Sequence, residues 1–491
     1  MSNNQKKKTR VFFDVSSVIE YVSKIDRYSG IQRVLVNIIS EVNKIKDEVN
    51  AEFYFCFHDG MTRKYVCVNF DDFSVANFAD PQTLRSSLKI GSAGRRVRLD
   101  AISKYRNDTL KYHFHRTKLD ILAILGKKSA FLRYNLTPSK WLQLRFSGKQ
   151  KASKSPVRAD FFSVCRAGDA LLNLDSSWLP LHEKTFSKAR ANGIICYTLV
   201  YDLIPILYPE TTHGMMPLIF HKWLLKSVGY TSKYLCISRA TQKDLEAFLA
   251  MLDFRGEVEV LPLVQQGIEP AEVLVPEGPM SAEVNKIAYP WLYEVAEISD
   301  DVRSIATVPY VLCAGTIEAR KNVWRIAQAW QLLLDRGHTD MPRLVFAGRK
   351  GWHIGPFEDF LRGTGNLGGR IQIVEGPSDK ELAFLYKNCD FSIMASLYEG
   401  WGLPVGEALS YGKTAVVSRN SSLPEVGSDL VEYCDASSIV SIANACERLF
   451  TDRLHLEVLE QRISVAHLRN WDEVCVDLLE TLKLDYAPGQ K

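Results

Sequence analysis

DFSIMASLYEGWGLPVGEAL (residues 390–409) decides how this chain is read. Its first seven residues are a short apolar run of the buried-strand kind. Glycines, a tryptophan and a proline follow, and then a helical pattern. Pro404 suits the first helical position, where a missing N–H costs nothing. Gly400 and Gly402 fall in the loop, where backbone can approach a ligand closely. Glu399 is expected at the strand's carboxyl rim and Glu407 in the first helical turn. Alone, Glu407 reads equally well as an acid favoured by the helix dipole. Together, two carboxylates one loop apart can accept paired hydrogen bonds from vicinal hydroxyls, as on two sugars.

A second stretch repeats the plan. CAGTIEARKNVWRIAQAW (313–330) reads as strand, turn and helix, with Arg320 and Lys321 at the turn. Two cations at a helix start oppose the dipole unless an anion joins them. A guanidinium fork beside a point charge suits a diphosphate; an exposed basic pair is the plainer alternative.

Around these stretches, short apolar strands alternate with helical patterns at both ends of the chain. RVFFDV (10–15) reads as a buried strand, followed by a polar loop through Gly30. GIQRVLVNIISEVNKI (30–45) reads as a helix with Val34, Ile38 and Val42 on one face. AEFYFCF, KYVCVNF, ALLNLD, IICYTLVYD and KYLCIS continue the first series. VPYVLCAG, PRLVFAG, IQIVEG, DFSIMAS and TAVVS form the second, after a Pro-, Glu- and Ala-rich changeover at 270–305. Near-continuous apolar strands with helices between them imply parallel sheets covered on both faces. The fold class is therefore α/β, two doubly wound units in tandem, with ligands at the strands' carboxyl ends.

The 491 residues carry 61 Lys and Arg against 57 Asp and Glu, but unevenly. Residues 84–158 hold 19 basic residues and three acids. With aromatics interleaved, such a block is expected to face an anionic membrane surface; a solvated insertion is the alternative. No nucleic-acid-binding motif accompanies the charge. The ten cysteines show no zinc-type spacing, and MSNNQKKKTRVFFDV does not read as a secretory leader. A cytoplasmic protein, peripheral on the inner face of the cell membrane, is expected. The Asp pairs at 71–72 and 300–301 lack a metal-site context, so no metal and no cofactor are expected.

YEGWGLPVGEAL resembles the E-x7-E signature of the family-4 retaining glycosyltransferases, and GTIEARKN resembles that family's phosphate-binding turn. PSDKELAFLYKNCDFSIMAS and SSLPEVGSD (421–429) extend the likeness across residues 305–450. The EGWGLP form and RKN turn are most similar to bacterial mannosyltransferases that build O-antigen or capsule. The resemblance implies a GT-B fold, two Rossmann-like domains facing across a cleft. It implies an acceptor-side domain at 1–270 with the basic insertion at about 84–158, a nucleotide-sugar domain at 271–465, and a helix at 466–491 crossing back.

It also implies roles. Arg320 and Lys321 would neutralise the donor diphosphate, and Glu399 would contact the donor sugar near the reacting carbon. Gly315 and Thr316 in the basic turn, and Gly400, Trp401, Gly402 and Leu403 in the acidic loop, would bind sugar and phosphate. Glu407 would hold the ribose, with the base near Glu375 to Pro377. SGIQRV (29–34) sits where the family has a Gly-rich loop, with Gly30 as the contact. YDLIPILYPE (201–210) resembles the family's HDLIPxxxPE segment. Tyr201 stands in place of a histidine that contacts the sugar, which makes its phenol a possible sugar contact, and Asp202 is the candidate for holding hydroxyls. The implied donor is GDP-mannose and the acceptor a lipid-linked glycan, with other polysaccharide-assembly enzymes as further partners. A glycoside hydrolase would have no use for the Arg320–Lys321 turn; a non-catalytic nucleotide-sugar scaffold stays open because of Tyr201.

Overall fold

The computed structural model describes residues 8–23, 28–60, 62–78, 80–88, 109–127, 130–131, 138, 141–142, 156–175, 178, 180–266 and 298–486. The chain packs into two compact units. One comprises Met1–Asp14, Asn37–Phe53 and Cys165–Lys491; the other comprises Val15–Val36 and Tyr54–Val164.

The larger unit carries two series of parallel strands. In the first, β1 (Thr9–Asp14), β5 (Ala170–Asn173), β6 (Ile195–Val200), β7 (Lys233–Cys236) and β8 (Glu257–Val260) lie side by side in that order. In the first four of these, inner residues such as Phe12, Leu171, Leu199 and Leu235 are fully buried, whereas no residue of β8 at the edge is. The second sheet is built from β9 (Tyr310–Ala314), β10 (Arg343–Gly348), β11 (Ile371–Glu375), β12 (Phe391–Met394), β13 (Ala415–Ser418) and β14 (Glu432–Cys434). Its order is β11-β10-β9-β12-β13-β14, all parallel. In a doubly wound sheet of this order, the direction in which successive strands are added reverses between β9 and β12, and the crevice there is the favoured ligand position. The two motif-bearing loops, 315–322 and 395–402, leave those two strands.

This second sheet is covered on both faces. On one, Val311, Phe346 and Ile393 pack with Val323, Ile326 and Trp330 of the helix Val323–Asp335 and with Ile442 and Leu449 of the helix Ile439–Thr451. On the other, Leu312 and Val345 pack with Leu385 and Tyr386 of the helix Asp379–Asn388. Each fully buried large side chain contributes roughly 1.5–3 kcal/mol. Trp330 also donates its indole N–H to the Pro342 carbonyl at 3.0 Å, so its one polar atom is satisfied. The final helix, Trp471–Thr481, begins with a capping box between Asn470 and Glu473. Beyond it, Asn50 N donates to the Asp485 carbonyl and Val49 bridges Tyr486.

In the smaller unit, the Tyr54–His58 part of β2 (Ala51–His58) pairs antiparallel with β3 (Tyr65–Asn69), and β3 with β4 (Ala159–Asp160). The alternation of the sequence is thus not purely parallel. The polar loop expected before Gly30 contains a helix, Ser16–Val22, because Val18, Ile19 and Val22 find burial at helical spacing. Gly30 opens the helix Gly30–Ile45, with Val34, Ile38 and Val42 buried as their periodicity required.

Most of the basic block 84–158 lies outside the described residues. Within it, the helix Thr109–Ile124 packs Tyr112, Leu119 and Ala123 against Phe131 and Trp141. Its other side leaves Phe114, Ile121 and Ile124 exposed. All ten cysteines are free thiols, nine of them buried. No described helix is long and apolar enough to cross a membrane.

Candidate active site

The loops after β9 and β12 are joined directly. Leu397 N donates to the Arg320 carbonyl at 2.9 Å. Asn322 fixes the turn between them. Its backbone adopts the left-handed conformation (φ 61°) that asparagine tolerates, at the residue preceding the helix Val323–Asp335. Its buried amide donates to the carbonyls of Ala395 (2.9 Å) and Ala436 (2.7 Å). One side chain therefore satisfies two strand-end carbonyls and sets where Arg320 and Lys321 emerge.

Those two cations converge on Glu399. Arg320 Nη1 lies 2.8 Å from Oε2 and Lys321 Nζ lies 2.7 Å from Oε1. Arg320 also pairs with Glu318 at 2.7 Å and donates to the Tyr398 carbonyl at 2.7 Å. Glu318 and Glu399 are both buried. Burial alone would raise the Glu399 pKa; the Arg320 charge, then that of Lys321, overcomes it and holds the carboxyl at about 2. Arg320 is stabilised as a cation in turn, chiefly by Glu399 and then Glu318, against its own desolvation.

Asp202, after β6, belongs to the same electrostatic group. Burial raises its pKa, opposed by Arg320 and by the hydrogen bond from Ile204 N at 3.0 Å. The two sheets' loops meet here without clearance. A Cβ on Gly400 would stand 2.2 Å from the Tyr201 carbonyl oxygen and 3.1 Å from Asp202 Cβ. Only glycine fits.

The loop is held from three further sides. Glu399 N donates to Ser421 Oγ at 3.0 Å. Ser422 Oγ lies 3.0 Å from the Glu399 carbonyl and 2.8 Å from that of Trp401. The Tyr398 hydroxyl donates to Asp244 Oδ2, and its ring packs on Tyr208 at 5.1 Å. Glu425 accepts from Arg239 N and Ala240 N, both at 2.9 Å, at the start of the helix Arg239–Leu249. Ser238 caps that helix and Thr241 donates to the Tyr201 carbonyl at 3.2 Å.

Several expected positions are refined. Gly402 caps the helix Leu403–Ser410 with φ 110°, a conformation that disfavours any side chain. Leu403 is the first helical residue and Pro404 the second, so Glu407 lies one position past the first turn. Glu407 accepts from the Tyr386 hydroxyl at 2.9 Å. Trp401 turns inward, buried, its indole N–H donating to the Val264 carbonyl at 2.8 Å; it anchors the loop. The Tyr201 phenol also turns inward, donating to the Leu174 carbonyl at 2.7 Å, and burial raises its pKa. The hydroxyl expected at a sugar is engaged with backbone. Gly315 (φ 118°) has Lys321 Cε 3.8 Å from where its Cβ would be, and Thr316 beside it is exposed. Gly30 lies in the smaller unit. Among the described residues, no group of acids, histidines and cysteines has a metal-binding arrangement.

Residues 295–465 match the family model described as glycosyl transferases group 1. The chain resembles the O-antigen chain mannosyltransferase B of Escherichia coli, 31% identical over 176 residues, 36% of this chain and 46% of the relative. It also resembles the serotype-specific mannosyltransferase WbdA of Escherichia coli, 24% identical over 302 residues, 62% of this chain and 35% of the relative. The chain thus spans less than half the length of these curated relatives. Among solved structures, Anabaena Alr3699/HepE in complex with UDP-glucose aligns over 97% of this chain and 99% of its own, with TM-score 0.51 and 11% identity. The fold is GT-B. Within it, the cluster Glu318–Arg320–Lys321–Glu399 occupies the switch point of the C-terminal sheet.

Proposed function

We propose that this GT-B protein is a retaining glycosyltransferase that moves a hexose, mannose from GDP-mannose, to a lipid-linked or growing cell-surface polysaccharide. The observation that carries this reading is the buried Glu399 carboxylate held between Arg320 and Lys321. Two cations at the mouth of a doubly wound sheet already hold one anion, and a diphosphate is the ligand that such a pair fits.

On this reading the bond from the sugar's anomeric carbon to the diphosphate oxygen breaks first. The sugar passes through an oxocarbenium-like state. Charge gathers on the leaving diphosphate, where Arg320 and Lys321 stabilise it in a site shielded from water. The acceptor hydroxyl bonds to the anomeric carbon on the face just vacated, and its proton passes to the departing diphosphate. Glu399 holds sugar hydroxyls near the reacting carbon, and Asp202 holds hydroxyls from the opposite wall. Glu407, oriented by Tyr386, takes the ribose. Gly315, Thr316 and the backbone of 400–403 line the phosphate and sugar. With two cations on the diphosphate, the reaction needs no divalent metal.

The mannosyltransferase names of the two Escherichia coli relatives support the choice of sugar. The basic block, with Phe114 and Ile121 exposed on its described helix, supports peripheral attachment to the anionic inner face of the cell membrane. Purified protein incubated with GDP-, UDP-, ADP- and dTDP-sugars tests the reading. Turnover of GDP-mannose that persists in EDTA is expected. Turnover of none of the four classes refutes it.

A further inference from the structure

The helix Met216–Ser227 buries one face and presents a second apolar face to solvent. Phe220, Trp223, Leu224 and Ser227 point into the protein. Their spacing of three, one and three residues is a single helical stripe. Opposite them lie Met215 (63% exposed), Leu218 (61%) and Leu225 (42%), with Ile219 (46%) alongside. Lys222 stands exposed at the centre of this face. The helix contains no acid, while His221, Lys222 and Lys226 are basic. A helix at a protein surface normally turns charged residues outward. Here the outward stripe is apolar around a lysine.

We propose that this helix is an interfacial anchor that lies in the headgroup region of an anionic lipid bilayer, independently of the basic block and of which sugar is transferred. Exposed large apolar side chains with His221 and Lys222 among them match that environment in both respects. Apolar groups sink to the acyl boundary, and lysine stems extend back to anionic headgroups. Lys226 already pairs with Glu183 at 2.5 Å, which leaves Lys222 as the central headgroup contact. The helix itself offers no acid to Lys222, so a two-fold contact of helix on helix would set Lys222 towards its own copy, with Glu183 already engaged by Lys226. The helix follows Asp202 by only fourteen residues, through Pro209–Thr211. Lipid at this face would therefore lie a short chain length from the reacting centre.

A spin label reads the helix itself, whatever other segments bind. Nine of the ten cysteines are buried, so the full chain carrying Cys165→Ser and Leu218→Cys takes one nitroxide at position 218. With vesicles of phosphatidylglycerol and phosphatidylcholine, the label should gain accessibility to oxygen and lose it to an aqueous nickel chelate. A label that stays equally open to the chelate overturns the proposal. A label shielded from both, with a protein dimer in solution, overturns it in favour of self-association. As a second reading, Leu218→Glu with Leu225→Glu should lower partition onto those vesicles at least tenfold. Its melting temperature should be unchanged, because neither side chain is buried; unchanged partition counts against the anchor. Donor turnover on a soluble acceptor should be unaffected. Should neither protein turn over any donor, the proposed function fails while the lipid result stands.

Discussion

Gly400 faces the carbonyl oxygen of Tyr201 so closely that a Cβ at position 400 would sit 2.2 Å from it. The acidic loop of one sheet and the β6 end of the other are thereby in backbone contact. Gly400→Ala must push the two apart. A cost of about 1–3 kcal/mol is expected, as for other overpacked sites, measurable by urea unfolding. Because the shift falls beside Glu399 and Asp202, turnover should fall further than stability does. Wild-type turnover in Gly400→Ala would show that this contact does not set the site.

Glu399 is the buried counter-charge of two partly buried cations. Glu399→Gln removes it and leaves Lys321 without its carboxylate and Arg320 with Glu318 alone, which costs up to roughly 3–5 kcal/mol, the range for breaking a buried pair. Added pyrophosphate or GDP should raise the melting temperature of Glu399→Gln more than that of the wild type. Equal shifts in the two proteins would mean that the anion binds elsewhere. On the proposed function Arg320 stabilises the leaving group, so Arg320→Ala should lower kcat by about 10²–10³.

On the proposed function, the acid limb of the pH profile is expected to follow Asp202. Arg320 and Lys321 depress Glu399 to about 2. Its contribution to stability is therefore complete above the unfolded carboxyl range and is lost only as pH falls towards 2. Burial shifts Asp202 the other way, so it protonates first on acidification. Loss of kcat/KM on the acid side should disappear in Asp202→Asn, which retains an acceptor for Ile204 N. A limb that persists there would assign it to another group.

Tyr398 ties the acidic loop to Asp244 through its hydroxyl, while its carbonyl receives Arg320. Tyr398→Phe leaves Asp244 without that donor. A loss of about 1.5–3 kcal/mol is expected for a hydrogen bond to a charged group. It should show as weaker transition-state stabilisation, a fall in kcat/KM, with secondary structure by circular dichroism unchanged.

Strands and motif loops were legible because their signals are local. DFSIMAS and VPYVLCAG are continuous apolar runs, and both motif turns join a strand to a helix. The three-residue strand Glu432–Cys434 has no such run and passes unnoticed. SSVIEYV reads as loop because its apolar residues span barely two turns. The missed site residues depend on distance in sequence. Tyr398 and Asp244 are 154 residues apart, and Asn322 reaches Ala436 across 114. The inward turn of the Tyr201 phenol depends on a carbonyl 27 residues earlier, which no motif records. Burial of Trp401 likewise follows from Val264, not from the glycines beside it.

The Arg320–Lys321 pair is pre-loaded with its own protein's carboxylate, and on the proposed function this would act as a filter. Inorganic phosphate drifting in must displace a tethered competitor that never leaves the neighbourhood, and it brings nothing to occupy that competitor. A sugar diphosphate brings hydroxyls for the carboxylate to grip as its oxygens claim the cations. On the proposed function, ligand entry would be an exchange of partners in which no charge is stranded, and the site would reject anions that carry charge without a sugar.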